Sequence, residues 1–219
     1  MAVMNVNPTR MQLSKLKKQL NTALRGHKLL KDKRDELMRQ FLDLIRETKD
    51  LREKVEAGLD DANRHFVQAS AVMDAKALDA ALLAPKQEVY LTAEAKNVMS
   101  VNIPRFSSSS RTDDEGDIFP YGFAFTSFEL DDAVERVNSL LPDLITLAQN
   151  EKSLQLMASE IEKTRRRVNA LEHVMIPRYQ DTIKYISMKL EENDRSSRAR
   201  LMKVKDMMLE KAHHYSEHQ

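Results

Sequence analysis

Residues 8–62 read PTRMQLSKLKKQLNTALRGHKLLKDKRDELMRQFLDLIRETKDLREKVEAGLDDA, and the spacing of their apolar residues decides the fold. Stepping alternately three and four residues from Leu13 meets Leu16, Leu20, Ala23, His27, Leu30, Arg34, Leu37, Phe41, Leu44, Thr48, Leu51, Val55, Gly58 and Ala62. Most are apolar, and such a spacing held over about seven heptads is the signature of a left-handed coiled coil, because it keeps one seam turned towards a partner. Thr9 stands where an N-cap is expected, and no proline falls between Pro8 and Pro85. One helix filling that interval would run about 110 Å at 1.5 Å per residue. Gly26 and Gly58 interrupt it at about 1 kcal/mol each relative to alanine. Each has two readings, close approach of a partner backbone or tolerated local bending.

A second periodic region opens near Asp131 or Asp132 and runs towards Leu209, with Val137, Leu141, Leu144, Ala148, Leu154, Ala158, Ile161, Val168, Leu171, Met175, Thr182, Ile186 and Leu190 near one stripe. Its phase slips around Leu171 to Met175. Pro142 marks a first-turn boundary or an early kink, and Pro177, which removes one ladder bond, predicts a kink without a stop. Between the two regions, residues 85–128 carry Pro104, Pro120, the run Ser107 to Ser110 and the acidic stretch Asp113 to Asp117. Short β-leaning pieces around Val98 to Phe106 and Tyr121 to Phe128 predict a small hairpin with a mobile tip.

The expected architecture is therefore all-α: a long antiparallel two-helix left-handed coiled coil with a small β-hairpin segment between the helices. Residues 1–84 form the first helix, 85–128 the connection, 129–210 the second helix and 211–219 a disordered tail. Helix ends near 80 and 130 imply that facing residues sum to about 210, which sets Arg34 near Pro177 and Arg178, Ile45 near Arg165 and Leu13 near Ser197. The second helix is polar from Glu191 to Arg200, so Leu13, Leu16 and Leu20 lack apolar cover within such a hairpin and call for another protein to supply it.

Composition agrees with long elements: 219 residues hold only four glycines and six prolines, with no tryptophan and 5% aromatics. The absence of cysteine excludes a disulfide framework or thiolate metal site. No segment approaches the roughly 18 apolar residues of a membrane span, and the opening MAVMNVNPTR lacks a signal-peptide core, which predicts a soluble intracellular protein without direct membrane insertion. The overall charge is +1, unevenly spread: residues 1–40 carry +7 and 163–219 carry +5, whereas 41–84, 85–130 and 131–162 carry −3, −3 and −5. In an antiparallel hairpin the terminal half is thus basic and the other half acidic, which suits different partners at the two ends. A solvated helix face is the plainer reading of any single charge run.

Residues 160–186, EIEKTRRRVNALEHVMIPRYQDTIKYI, resemble the signature of the D-subunit family, the central-stalk proteins of V/A-type rotary ATPases. The stretches PTRMQLSKLKKQL and GHKLLKDKRDELMRQF within residues 8–41 are similar to the same family, as are NVMSVNIP at 97–104 and YGFAFTSFELDDAVERV at 121–137. The segments 106–118 and 211–219 show no family pattern. The resemblance implies a rotor axle without catalytic residues, cofactor or metal, lying in the cytoplasm peripheral to the membrane. Its terminal half would insert into the hexamer of catalytic and regulatory A and B subunits. The other half would bind the small F subunit of the stalk and seat on the funnel-shaped C/d subunit above the membrane ring. Candidate hexamer contacts are Leu13, Leu16, Leu20, Arg165, Arg166 and Arg167; candidate seam or register residues are Arg34, Pro177 and Asp181, with Asp181 a possible carboxylate for Arg34.

Other readings of these residues are plainer. Consecutive arginines point about 100° apart, so one flanks the seam and two are solvated as readily as all three meet a partner. Arg34 reaches water as readily as a carboxylate. The twelve methionines are read as gap fillers. His213, His214 and His218 are read as part of the disordered tail and not as a metal cluster, and Asp113 to Asp117 fail the calcium-loop spacing and read as a solvated loop tip. Among other classes, a free coiled-coil tether would tolerate substitution at Arg165 to Arg167. A nucleic-acid binder lacks interleaved aromatics and a known module, so no nucleic acid is expected. No Gly-rich phosphate loop or nucleophile supports an enzyme.

Overall fold

A computed structural model of the chain describes residues 4–112, 114–122 and 126–216. Four α-helices, α1 (Arg10–Val72), α2 (Ala75–Leu82), α3 (Phe128–Ala170) and α4 (Ile176–Ser216), are joined by strands β1 (Val89–Val98) and β2 (Val101–Ser110), a 3-10 turn (Glu115–Ile118) and a π turn (Leu171–Met175). Long helices with one small antiparallel hairpin are the class that the heptads imply. The chain divides into two compact units, Arg34–Lys163 and Met1–Lys33 with Thr164–Gln219.

Thr9 caps α1 as its sequence position suggests: its Oγ1 accepts from the Gln12 N–H at 3.2 Å, and its carbonyl from Leu13 at 3.0 Å. Every seam position expected on α1 is buried or half-buried. The fully buried set passes from one seam position of the heptad, Leu16 and Leu37, to the other, Thr48, Val55, Ala62 and Ala69. The eleven-residue step from Leu37 to Thr48 is seven plus four, the ordinary passage from one seam position of the heptad to the other, and the seam continues unbroken through half-buried Phe41 and Leu44. The helix does not fill the interval to Pro85. It ends at Val72, and Asp74 turns extended (φ −65°, ψ 139°) with its carbonyl accepting from Ala77 and Leu78 at 3.0 Å, so that α2 begins afresh. That break lets Ala81 and Leu78 reach a core with Ala69, Leu130, Val134, Met73 and Tyr121.

Within the Arg34–Lys163 unit the hairpin is built from different partners than the sequence suggests. Val98–Phe106 largely becomes β2, but it pairs with β1, from Val89↔Ser110 to Val98↔Val101, and not with residues 121–128. Ser107 to Ser110 therefore lie in a strand, Phe128 opens α3, and residues 123–125 lie outside the described residues. The tip is Met99 and Ser100, with φ of 50° and 71°, the left-handed pair that a two-residue turn requires. Asn97 Oδ1 accepts the Ser100 N–H at 3.1 Å, and Asn97 Nδ2 donates across the strands to Asn102 at 2.8 Å. Val101 is buried with Leu37, Met157 and Ile161, so the hairpin tip supplies a third layer of apolar cover to α1 and α3.

On α3 the buried residues are Leu130, Ala133, Leu140, Ser153, Met157, Ile161, Thr164 and Val168, while Val137 of the expected stripe is 47% exposed and Ala148 and Ala158 are also exposed. Pro142 lies well inside α3, so it marks no first-turn boundary. The phase slip at Leu171 to Met175 is the π turn, in which the Ile176 N–H bonds to the Leu171 carbonyl, five residues back. One residue is thereby added to the turn. Met157, Thr164 and Leu171 recur every seven residues, as do Tyr179 and Ile186, but Tyr179 follows Leu171 by eight. Pro177, which has no N–H to donate, stands directly after this turn and the helix continues through it.

The register also differs. In the terminal unit Arg10 meets Asp194 and His27 meets Glu172; in the other, Arg52 meets Glu151, Asp61 meets Arg136 and His65 meets Glu129. Facing residues thus sum to about 200, two to three turns from the expected value.

Gly58 has a packing cause and Gly26 has none. A Cβ at Gly58 would stand 2.6 Å from Leu140 Cδ2, a side-chain approach and not the backbone approach anticipated, whereas a Cβ at Gly26 meets nothing within 4 Å. Gly26→Ala should therefore stabilise the chain by about 1 kcal/mol in urea denaturation, and Gly58→Ala should lose that gain to displacement of Leu140 and fall about 1 kcal/mol below the parent.

Candidate interaction surfaces

In the terminal unit the core is Leu16, Thr164, Val168, Thr182 and Ile186. Leu16 is only 4% exposed, so the cover expected from another protein is supplied by the chain itself. Leu13 and Leu20 are half-buried. Arg165, Arg166 and Arg167 are all exposed, because buried Thr164 and Val168, four residues apart, hold one face inward and leave the three between them on the outer arc. Arg34, in the other unit, is half-buried, and its Nε and Nη2 donate to Asp35 Oδ1 at 2.9 and 2.6 Å. Pro177 is half-buried behind the π turn and Asp181 is exposed, both in the terminal unit.

The larger apolar surface lies where sequence periodicity did not point. The Met4 N–H donates to Thr182 Oγ1 at 3.1 Å, so the chain before α1 doubles back along α4 in the direction of Thr182. Arg10, the first residue of α1, meets Asp194, and α4 continues to Ser216. Beyond Asp194 the helix exposes Leu201 and Met202 at 69%, Met208 at 68%, and Val204, Met207 and Leu209 at about half. Arg198, Arg200, Lys203 and Lys205 alternate with them. These methionines are surface residues and not gap fillers; Met157 alone among the described methionines is buried. The side chains of His213, His214 and His218 lie outside those described, although α4 reaches Ser216, past the expected helix end.

The Arg34–Lys163 unit has its own apolar exposures. Met38, Leu42 and Ile45 form a stripe on α1 away from the seam, and Phe66 and Leu82 border a groove of about 280 Å³ that Leu130, Ala133 and Val137 also line. Val67, Val72, Leu83 and Phe128 add exposed apolar area at this end. Tyr121 donates to Asp131 at 2.9 Å, and its phenol is pushed well above its ordinary range by burial first and by that carboxylate second. The two units carry opposite charge: 20 basic and 9 acidic residues give +11 in the terminal unit, and 15 basic and 25 acidic give −10 in the other.

The acidic stretch is more than a solvated tip. Asp114 Oδ1 accepts the Gly116 N–H at 3.1 Å, and Asp117 binds Lys86 while accepting from Thr112 Oγ1 at 2.7 Å, which closes the base of the hairpin. Asp113 lies outside the described residues. Lys86 first, and the Thr112 hydroxyl second, hold the Asp117 carboxyl below its ordinary range. A depressed carboxyl contributes stability above its unfolded pKa and loses it as pH falls through the lower native value. Asp117→Asn should therefore speed amide exchange at Arg111, whose N–H bonds to the Glu88 carbonyl. The ratio of variant to parent rates should be largest near neutrality and approach one as acid protonates Asp117.

No helix among the described residues is long and apolar enough to cross a membrane. The family model for the ATP synthase D subunit matches residues 12–206. The V-type ATP synthase D subunit of Acetivibrio thermocellus is 60% identical over 217 residues, covering 99% of this chain and 98% of that protein. Proteins of the same name from Clostridioides difficile and Clostridium novyi are 58% and 56% identical, over 97% and 95% of this chain and 95% and 97% of their own lengths.

Proposed function

Because the chain belongs to the ATP synthase D-subunit family, a family of rotary ATPase stalk proteins, we propose that it is the rotor shaft of a V/A-type ATPase or ATP synthase, itself without catalytic activity. In this reading the terminal unit inserts into a hexamer of A and B subunits, and the acidic unit binds the small F subunit and seats on the funnel-shaped C/d subunit above the membrane ring. The protein then works in the cytoplasm, peripheral to the membrane, and links ATP hydrolysis or synthesis to rotation and proton or sodium transport.

The observation that carries the proposal is the uncovered end of α4, where Leu201, Met202, Val204, Met207, Met208 and Leu209 are exposed within the unit of net charge +11. Burying such a surface in a sleeve of apolar, acidic or carbonyl groups would recover hydrophobic free energy of about 25 cal/mol per Å² and leave the basic side chains matched. Leu13, Leu20 and Arg165 to Arg167 belong to the same unit and remain candidates for its contacts; Leu16 acts through the core instead. Coupling needs differential contact. A shaft that presented the same face to every nucleotide site could not bias one over another, whereas one whose surface differs with angle changes the site affinities in turn.

The test is co-expression with the A, B and F subunits and assay of the purified assembly. Removal of residues 1–20, or the pair Met202→Glu and Met208→Glu, should abolish steady coupled turnover. Both variants should keep binding to the F subunit through the other unit. Failure to form any complex with folded partners would leave a free coiled-coil tether as the reading.

A further inference from the structure

In the Arg34–Lys163 unit, three ligating side chains converge from two helices. His65 Nδ1 on α1 lies 2.8 Å from a carboxylate oxygen of Glu129 on α3. Asp132 follows Glu129 by three residues and so shares its helix face. One ligand atom from each of the three lies within 4.8 Å of the others, and all three residues are half-buried. We propose that His65, Glu129 and Asp132 form a binding site for a divalent first-row transition ion, with zinc as its representative.

The donor set selects the ion. One imidazole nitrogen and two carboxylates make a borderline site with charge −2 when the histidine is neutral, which matches a divalent ion. Calcium and magnesium favour all-oxygen shells and gain little from the nitrogen. In tetrahedral zinc sites the ligand atoms stand about 3.3 to 3.5 Å apart, a value that lies between the 2.8 Å from His65 Nδ1 to the Glu129 oxygen and the 4.8 Å within which all three ligand atoms stand here. Three protein ligands leave a fourth position for water. Arg136, one turn beyond Asp132 on α3, is engaged by Asp61 from α1. A bound ion would cross-link α1 to the first turn of α3, beside the core of Ala69, Ala81 and Leu130. It would therefore stabilise the native chain by mass action.

The plainer account is a His65–Glu129 ion pair in which Asp132 takes no part. The two accounts part at Asp132, and the site does not depend on whether the chain turns in an ATPase. The experiment uses the full chain carrying His213→Ala, His214→Ala and His218→Ala, so that tail histidines cannot compete for the metal. Zinc affinity is read by competition with a chromophoric chelator, and thermal melting is followed with and without zinc. The expected result is one zinc per chain and a higher melting temperature. Asp132→Asn should weaken binding by about tenfold or more, His65→Ala should abolish it, and magnesium should not substitute. Absence of zinc binding, unchanged affinity in Asp132→Asn, or equal binding of magnesium would overturn the proposal. Should His65→Ala fail to fold by circular dichroism, the Asp132→Asn comparison decides alone.

Discussion

A helix of 63 residues with an apolar seam must bury that seam, here against other parts of its own chain, and the fold of this structure depends on that demand. Helices in water draw most of their stability from packing of one face, not from intrinsic propensity. The buried positions mix large and small residues: Leu37, Val55, Met157, Ile161, Val168 and Ile186 with Thr48, Ala62, Ala69, Ser153 and Thr182. Small residues let the helices approach closely. Three of the buried hydroxyls cost little, because Thr48, Ser153 and Thr182 each donate to a carbonyl four residues back at 2.6 to 2.7 Å. Two helices are still too thin to enclose bulky side chains on all sides. The hairpin over Leu37 and Ile161, and α2 over Ala69 and Leu130, supply that cover where it is lacking.

That dependence explains which parts of the fold are legible in the sequence. The α1 seam is legible because its leucines fall on the burying face, and the Leu171 slip is legible because an added residue must displace a heptad. The α3 seam is obscured because Ser153 and Thr164 read as polar though buried, while Val137 and Ala158 read as apolar though exposed. The break after Val72 carries neither glycine nor proline; Asp74 is its only local signal. The register error has the same root. Helix ends near 80 and 130 overstate the paired length, whereas α1 ends at Val72 and α3 begins at Phe128, which accounts for the observed displacement. Strand β1 escapes notice because nine of its ten residues are exposed and the apolar positions of its alternating stretch Leu91 to Lys96 are one leucine and two alanines, a weak signal.

The candidate surfaces were legible to a lesser degree, for a related reason. Leu13, Leu16 and Leu20 look uncovered only under the wrong register. With Arg10 beside Asp194 and the preceding segment bonded to Thr182 through Met4, cover for Leu16 falls within the unit and the uncovered length moves to the end of α4. The 100° rule left Arg165 to Arg167 open between one seam-flanking and two solvated side chains and three partner contacts, and only the burial of Thr164 and Val168 puts all three on the outer arc. Arg34 shows the limit of seam logic: a long side chain can leave a seam position and take a sequence neighbour, Asp35, as its partner.

Charge and apolar exposure play separate parts. The ion pairs within the Arg34–Lys163 unit, such as Arg52 with Glu151 and Lys54 with Asp143, are largely solvated, and pairs of that kind contribute from nothing to about 1 kcal/mol each. They cannot be what holds the helices together. The excess of +11 in one unit and −10 in the other is therefore not consumed by folding and remains available to whatever each unit meets. At the end of α4 the arginines and lysines at 198, 200, 203 and 205 stand among Leu201, Met202 and Val204, so any partner that covered this end would have to satisfy both. Buried apolar area would supply most of the affinity, and the sign of the surrounding charge would decide which partner is steered there and which is refused.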